Sequence, residues 1–242
     1  MTHDEAVQKL ILAGKILVHQ GQSDMTRGHV SVRVPGRPDL FLMKPNGIGM
    51  EEMTPENILV TAMDGVAQRG QARQHSEVFI HSEIFKARPD VTCVVHTHPV
   101  HLIALSATGK ELRPHCQGGA IFADRLPVFD ATMQLIRDPA MGSAVAKALG
   151  PHMAVSLKSH GLVMACASIE EAIVFTVMLE EACRIQLLIE AAGGAAPEYP
   201  PDDVALLREA QSAPGMILAN FAYLGRLATG SALPPSLAGL PA

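Results

Sequence analysis

A run of apolar, mostly β-branched residues at 91–95 predicts a buried strand, and this strand leads directly into the sequence HTHP at residues 96–99. Because successive residues of a strand face opposite ways, we expect His96 and His98 to point to one side of the sheet and Thr97 to the other. Two imidazoles placed in this way suit a single tetrahedral or octahedral ion. Two unrelated surface histidines at a strand end would give the same pattern, so the pair alone leaves both interpretations open.

Two further residues strengthen the prediction of a metal site. His160 lies in a turn at the end of another predicted strand, where Gly161 allows close approach of the backbone. Three histidines that leave one position open are what a catalytic zinc-type ion requires. Glu77 lies in the first turn of a predicted helix over residues 76–87, where three roles are open: a fourth ligand, a proton-transfer group or an ordinary acid at a helix N-terminus. His81, one turn later on the same face, is expected to lie behind the site or in the core.

Helical and strand patterns alternate along the chain and predict one α/β domain over residues 1–194, followed by a tail over residues 195–242 with a short helix. Residues 109–130 are expected to form loops and a short strand. The main predicted helices lie at residues 4–20, 76–87, 100–107, 138–149 and 168–192. The predicted strands lie at residues 30–34, 40–43, 58–61, 91–95, 154–157 and 162–165.

The charge and aromatic content argue against several classes of partner. The chain has 19 basic and 24 acidic residues, no Trp and two Tyr, so neither a basic face nor an aromatic platform for nucleic acid is expected. The apolar stretch from Gly161 to Cys183 contains four glutamates, which excludes a membrane span there. The four cysteines form no CxxC pair and the N-terminal segment has no signal-peptide core, so we expect reduced thiols and a cytoplasmic location.

Several short segments occur in an order that resembles the class II aldolase and adducin family, typified by fuculose-phosphate aldolase. The resemblance covers roughly residues 5–192. The segments are GHVSVR at 28–33, KPNG at 44–47, SE at 76–77, PDV at 89–91, VVHTH at 94–98 and SHG at 159–161. Each segment is unspecific by itself, but their combination is specific to this family.

The resemblance implies a single three-layer α/β/α domain around a mostly antiparallel central sheet. It also implies a homo-oligomer, usually a tetramer, with sites at the contacts between subunits. One divalent metal ion per subunit would lie on His96, His98 and His160, and Glu77 would bind the ion and move protons. Three imidazoles and a carboxylate accept zinc, manganese, iron or cobalt, so the sequence does not select one metal.

The chain departs from the sugar-phosphate aldolases at three places. Where those enzymes usually read Gly-Asn, Ser-Gly and Ser-Ser, this chain has histidine at 29, asparagine at 46 and histidine at 75. Hydroxyls and amides that would hold a phosphate are thus partly replaced by imidazoles and an amide. The variants resemble branches of the family that include decarboxylases of hydroxylated aromatic dicarboxylates such as dihydroxyphthalate. The expected substrate-binding residues are His29, Asn46, Gly47, His75 and Ser76.

Three functions are compatible with these residues. The leading hypothesis is a metal-dependent decarboxylase of an ortho-hydroxy aromatic carboxylate, with Glu77 as the proton-transfer group. The alternative is retro-aldol cleavage of a sugar-derived substrate, phosphorylated or not, in which Glu77 again shuttles protons. The third is a non-catalytic, adducin-like interaction module, against which the complete set of metal ligands argues. The expected partners are a small-molecule carboxylate and further copies of the chain, with no nucleic acid and no membrane.

Three residues outside the cluster have weaker signals. Lys44 either helps to bind an anion or is simply solvated. Tyr223 and Arg226, in a predicted helix of the tail, are candidates for contributing to the site of a neighbouring subunit.

Overall fold

The computed structural model describes residues 1–70, 72–194 and 196–230. Its helices are α1 (His3–His19), α2 (Val78–Ala87), α3 (Val100–Thr108), α4 (Gln117–Phe122), α5 (Pro139–Leu149), α6 (Ile169–Ala191), α7 (Pro201–Gln211) and α8 (Pro214–Thr229). Its strands are β1 (His29–Val34), β2 (Arg37–Met43), β3 (Leu59–Ala62), β4 (Ala67–Arg69), β5 (Cys93–Thr97), β6 (Val128–Phe129), β7 (Ala154–Leu157) and β8 (Gly161–Cys166).

The strands form one eight-stranded sheet in the described residues, in the order β4-β3-β2-β1-β5-β8-β7-β6. All neighbouring pairs are antiparallel except β6 and β7, which are parallel. β5, which contains His96, and β7, which precedes His160, are separated only by β8. The mostly antiparallel sheet and the α/β class predicted from the sequence are therefore confirmed.

Two apolar cores lie on opposite faces of the sheet, which makes the fold a three-layer α/β/α arrangement. Alternate residues of β5 divide between them, since Val95 packs into the core under α1, α3, α4, α6 and α8, whereas Val94 packs into the core under α2 and α5. This alternation is the period of two that an extended strand imposes. It places every second residue of β1 and β5 on the face that α2 covers.

The prediction of loop structure for residues 109–130 is wrong in part, because α4 lies within that range. The backbone N–H of Gly119 donates to the Sγ of Cys116, which caps the helix. Cysteine is not one of the residues that usually signal a helix start, and two consecutive glycines lower helix propensity. A Cβ at Gly118 would lie 2.8 Å from the carbonyl oxygen of Met178, so the glycine allows α4 to approach α6 closely.

The described part of the predicted tail, residues 196–230, contains two helices, α7 and α8, rather than one. Ile217 and Phe221 of α8 are buried in the same core as α1 and α6, so this part of the tail packs onto the domain. The boundary at residue 194 stays a prediction, and residues 195 and 231–242 lie outside the described residues. No helix in the described ranges is both long and apolar enough to cross a membrane.

Candidate functional site

The pairing of three central strands brings the predicted site residues together. In the antiparallel register of β1 with β5, His29 lies directly opposite His96. On the other side of β5, Thr97 pairs with Leu162 of β8, the strand that follows the turn containing His160. The hydroxyl of Thr97 donates to Gln22 on the opposite face of the sheet, as the predicted alternation requires.

Glu77 lies among three of the histidines. Its Oε2 is 3.8 Å from Nε2 of His29 and 3.9 Å from Nε2 of His96, and its Oε1 is 3.9 Å from Nε2 of His160. One ring nitrogen from each of His96, His98 and His160 lies within 4.8 Å of the others, a spacing at which one ion could contact all three. His29, Glu77 and His96 also each offer one ligand atom within 4.8 Å of the other two. Distance alone therefore gives two overlapping sets of candidate ligands.

Four buried ring nitrogens of this cluster have no hydrogen-bond partner among the described residues. They are Nε2 of His29, Nε2 of His96, Nδ1 of His98 and Nε2 of His160. Asp24 lies nearest to one of them, with its Oδ2 3.3 Å from Nδ1 of His98 but without the geometry of a hydrogen bond. Buried polar atoms without partners are rare in folded proteins, and a coordinated cation would satisfy them.

The imidazoles of the cluster are neutral, which is the form that binds a metal. Burial lowers the pKa of His96 well below its ordinary value and lowers the pKa of His160 to about 4. Burial also lowers the pKa of His98, and the nearby Asp24 opposes this shift. The donor set of three neutral imidazoles and a carboxylate therefore fits a divalent ion.

Hydrogen bonds to the backbone determine which nitrogen of two imidazoles carries the proton. Nδ1 of His96 lies 2.8 Å from the carbonyl oxygen of Leu162, which can only accept, so Nδ1 donates and Nε2 presents a lone pair. Nδ1 of His75 accepts from the backbone N–H of Glu77 at 3.3 Å, so its Nε2 carries the proton. His96 is thus arranged to bind a cation, and His75 to donate to an anion.

The position of His160 depends on a close approach of β8 to the end of β5. A Cβ at Gly161 would lie 2.4 Å from the carbonyl oxygen of Thr97 and 3.0 Å from Cδ2 of His98. Ser159 has a φ of 56°, which is uncommon for a residue other than glycine, and its N–H donates to Oγ of Ser106 in α3. The structure therefore confirms the close backbone approach predicted at Gly161.

Glu77 does not behave as an ordinary acid at a helix start. It is the N-cap residue of α2, but its side chain makes no capping hydrogen bond. Instead Oε1 accepts from the backbone N–H of Ile136 at 3.0 Å. Burial raises the pKa of Glu77, and this hydrogen bond together with nearby Arg137 opposes the shift. The carboxyl group is thus held in place and faces the histidines.

Lys44 is buried, so its interpretation as a solvated lysine is wrong. Its ammonium donates to the carbonyl oxygens of Thr26 at 2.9 Å and Pro45 at 3.2 Å, which leaves one of its three N–H groups. Burial lowers the pKa of Lys44 to about 8, while Glu51 and Glu52 act in the opposite direction. Lys44 is therefore mostly protonated at neutral pH.

The remaining predicted residues lie at more open positions. Asn46 is half-buried, and its backbone N–H donates to the carbonyl oxygen of Arg73, whereas Gly47 and Ser76 are exposed. Tyr223 and Arg226 lie on α8, which packs on the face of the sheet opposite α2, and the Tyr223 side chain is exposed. The roles of these residues stay predictions.

Two groups that sequence reasoning missed, the carbonyl of Leu162 and the amide of Ile136, belong to the backbone and leave no side-chain pattern.

Comparisons with known proteins agree on one family. The family described as Class II Aldolase and Adducin N-terminal domain matches residues 8–187. The chain is 28% identical over 218 residues to the 3,4-dihydroxyphthalate decarboxylase of Arthrobacter keyseri, and the aligned region covers 86% of this chain and 88% of that protein. It is 34% identical over 186 residues to the decarboxylase NovR of Streptomyces niveus, and the aligned region covers 76% of this chain and 68% of that protein.

The fold is also found among solved structures. L-fuculose 1-phosphate aldolase from Glaciozyma antarctica PI12 matches with a TM-score of 0.84 at 24% identity, over 94% of this chain and 90% of that chain. At this identity the match shows a shared fold alone.

The close approach at Gly161 predicts the effect of a single added methyl group. In the variant Gly161→Ala, the Cβ must displace the end of β5, so we expect zinc affinity to fall about tenfold or more while the fold is retained. Zinc titration and far-UV circular dichroism would measure both. Gly215→Ala is the matched control, because a Cβ there meets no atom within 4 Å. Unchanged zinc affinity in Gly161→Ala would contradict this account.

Proposed function

Because the chain belongs to the class II aldolase and adducin family, we propose that it is a divalent-metal-dependent carbon–carbon lyase that decarboxylates an ortho-hydroxy aromatic carboxylate. The observation that carries the proposal is that two histidines near Glu77 present opposite hydrogen-bonding groups to the site. His96 presents a lone pair, whereas His75 presents an N–H group. Similarity to a relative named 3,4-dihydroxyphthalate decarboxylase, over most of both chains, supports the same substrate class.

His96, His98 and His160 would hold the ion, and Glu77 is close enough to join them. When bound, the ion would supply Lewis-acid chemistry, drawing negative charge from the hydroxyl and carboxylate oxygens of the substrate. This donor set accepts zinc, manganese, iron or cobalt.

The other residues would bind and orient the aromatic acid. Nε2–H of His75 and the ammonium of Lys44 offer hydrogen bonds to a second carboxylate, and a charged donor makes such a bond stronger. His29, whose ring lies 4.0 Å from that of His75, would contact the same substrate. Asn46, Gly47 and Ser76 would line the more open side of the binding site.

Glu77 would move the proton that completes the reaction. The bond between the ring carbon and the carboxyl group breaks, its electron pair stays on the ring, and carbon dioxide leaves. Glu77, as the carboxylate, would take the proton of the substrate's hydroxyl group and deliver it to that ring carbon, and the phenolate oxygen of the product would then regain a proton from water. Retro-aldol cleavage would use Glu77 in a similar way, so the product identifies the reaction.

We propose further that the protein is a cytoplasmic homotetramer. All four cysteines are free, as in proteins of a reducing compartment. The exposed Tyr223 on α8 would lie next to the site of a neighbouring subunit, together with Arg226.

The proposed reaction predicts which product forms and how far kcat falls when Glu77 is replaced. We expect metal-loaded protein to release carbon dioxide and no aldehyde from 3,4-dihydroxyphthalate. Because Glu77 supplies the proton, Glu77→Gln should lower kcat about 10²–10⁴-fold. Glu209→Gln, at an exposed position of α7, is the control and should leave kcat unchanged.

Two results would overturn the proposed reaction. Aldehyde release from a hydroxylated sugar phosphate, without carbon dioxide from the aromatic acid, would establish retro-aldol cleavage instead. Less than about 0.2 metal ions per chain after metal-replete purification would favour a non-catalytic module.

The lowered pKa of Lys44 predicts how substrate binding depends on pH. Above about pH 8 the ammonium loses its proton and its charge, so KM for the anionic substrate should rise between about pH 7 and pH 9. His75 is already neutral in this range, since burial lowers its pKa to about 4. Lys44→Met should have a higher KM at neutral pH and should lose this pH dependence. An unaltered pH profile in Lys44→Met would contradict a role for Lys44 in binding.

A further inference from the structure

Three fully buried side chains form a hydrogen-bonded chain behind the cluster. Nδ1 of His29 lies 2.5 Å from Nε2 of His81, and Nδ1 of His81 lies 2.6 Å from Oγ of Ser31. His29 and Ser31 are two residues apart on β1 and therefore share one face, over which α2 places His81. The far nitrogen of His29, Nε2, faces the Glu77 carboxylate at 3.8 Å.

Both imidazoles are neutral, so each carries one proton on one of its two nitrogens. Burial lowers the pKa of His29 well below its ordinary value and the pKa of His81 to about 3. Two arrangements of protons are then compatible with the distances. They differ in which way every hydrogen bond of the chain points.

In the first arrangement His29 donates from Nδ1 to His81, and His81 donates from Nδ1 to the oxygen of Ser31. The hydroxyl proton of Ser31 then needs another acceptor, and none is found among the described residues. Nε2 of His29 would also direct a lone pair towards the carboxylate of Glu77, which is unfavourable when that group is ionised.

In the second arrangement the hydroxyl proton of Ser31 has an acceptor. The Ser31 hydroxyl donates to Nδ1 of His81, and Nε2–H of His81 donates to Nδ1 of His29. The Nε2–H group of His29 then faces the carboxylate of Glu77 at 3.8 Å, which is too long for a hydrogen bond but close enough for electrostatic attraction. The paired Ser31 hydroxyl and the attraction between this N–H group and the ionised carboxylate make the second arrangement the more stable one.

We propose that Ser31 and His81 are positioning residues that hold His29 with its proton on Nε2, so that His29 donates to the substrate and does not bind the metal ion. This separates the two overlapping sets of ligands, because His29 is removed from the set that contains Glu77 and His96. His96, whose proton is fixed on the opposite nitrogen, remains a ligand. The substrate half of the inference rests on the proposed function, whereas the position of the proton does not.

Nitrogen-15 NMR of histidine side chains tests the position of the proton directly. In zinc-loaded wild-type protein with labelled histidine, we expect His29 to be protonated at Nε2 and unprotonated at Nδ1. His29→Gln would assign the signals. A proton on Nδ1 of His29, or coordination of zinc by its Nε2, would overturn the proposal. This readout involves no catalysis, so it stands or falls independently of decarboxylation.

Variants of the two positioning residues test their roles. Ser31→Ala removes the hydroxyl that begins the chain, so we expect the His29 proton to redistribute between its nitrogens. Ser82→Ala is the matched control, because Ser82 is a buried serine of α2 whose hydroxyl has no hydrogen-bond partner among the described residues. An unchanged His29 spectrum in folded Ser31→Ala would contradict the role of Ser31.

Replacement of His81 separates substrate binding from metal binding. His81→Leu should weaken binding of 2-hydroxybenzoate to the zinc-loaded protein about tenfold, the equivalent of one hydrogen bond, with zinc affinity unchanged. His81→Gln can still donate to His29 and should restore binding. If His29 were a zinc ligand, His81→Leu would instead lower zinc affinity about 10–100-fold, which would overturn the proposal. Failure of His81→Gln to restore binding, in a variant that remains folded, would also contradict it.

Discussion

The antiparallel pairing of β5 with β1 and β8 is the constraint on which the site depends. It sets His29 opposite His96 and brings the turn that contains His160 to the end of β5. Gly161 is required at this point because any side chain would collide with the carbonyl oxygen of Thr97. The helix α2 then covers the same face, with Glu77 as its N-cap residue and His81 about one turn later. A change in register by one residue would turn these side chains to the opposite face of the sheet.

Hydrogen bonds behind the site give chemically identical side chains different roles. The carbonyl of Leu162 fixes a lone pair on the inner nitrogen of His96, whereas the amide of Glu77 fixes a proton on Nε2 of His75. Burial keeps both rings neutral, so these assignments do not change near neutral pH. One cluster of imidazoles can therefore bind a cation on one side and an anion on the other.

The sequence predicts which histidines the fold brings together, because their positions follow from local rules. The period of two placed His96 and His98 on one side, and the glycine after His160 indicated a close approach. The backbone groups that hold His96 and Glu77 could not be predicted, since the carbonyl of Leu162 lies 66 residues from His96 and the amide of Ile136 lies 59 residues from Glu77. Burial of Lys44 was equally hidden, because it depends on backbone carbonyls that surround the ammonium only after folding.

The most direct test of this division of roles is a crystal structure of the metal-loaded protein with a bound ortho-hydroxy aromatic acid, with the ion located by its anomalous scattering. The account predicts that the ion is bonded to His96, His98 and His160, and that Nε2 of His29 and of His75 each lies within hydrogen-bond distance of an oxygen of the acid. An ion bonded to His29, or an acid that contacts neither His29 nor His75, would contradict it.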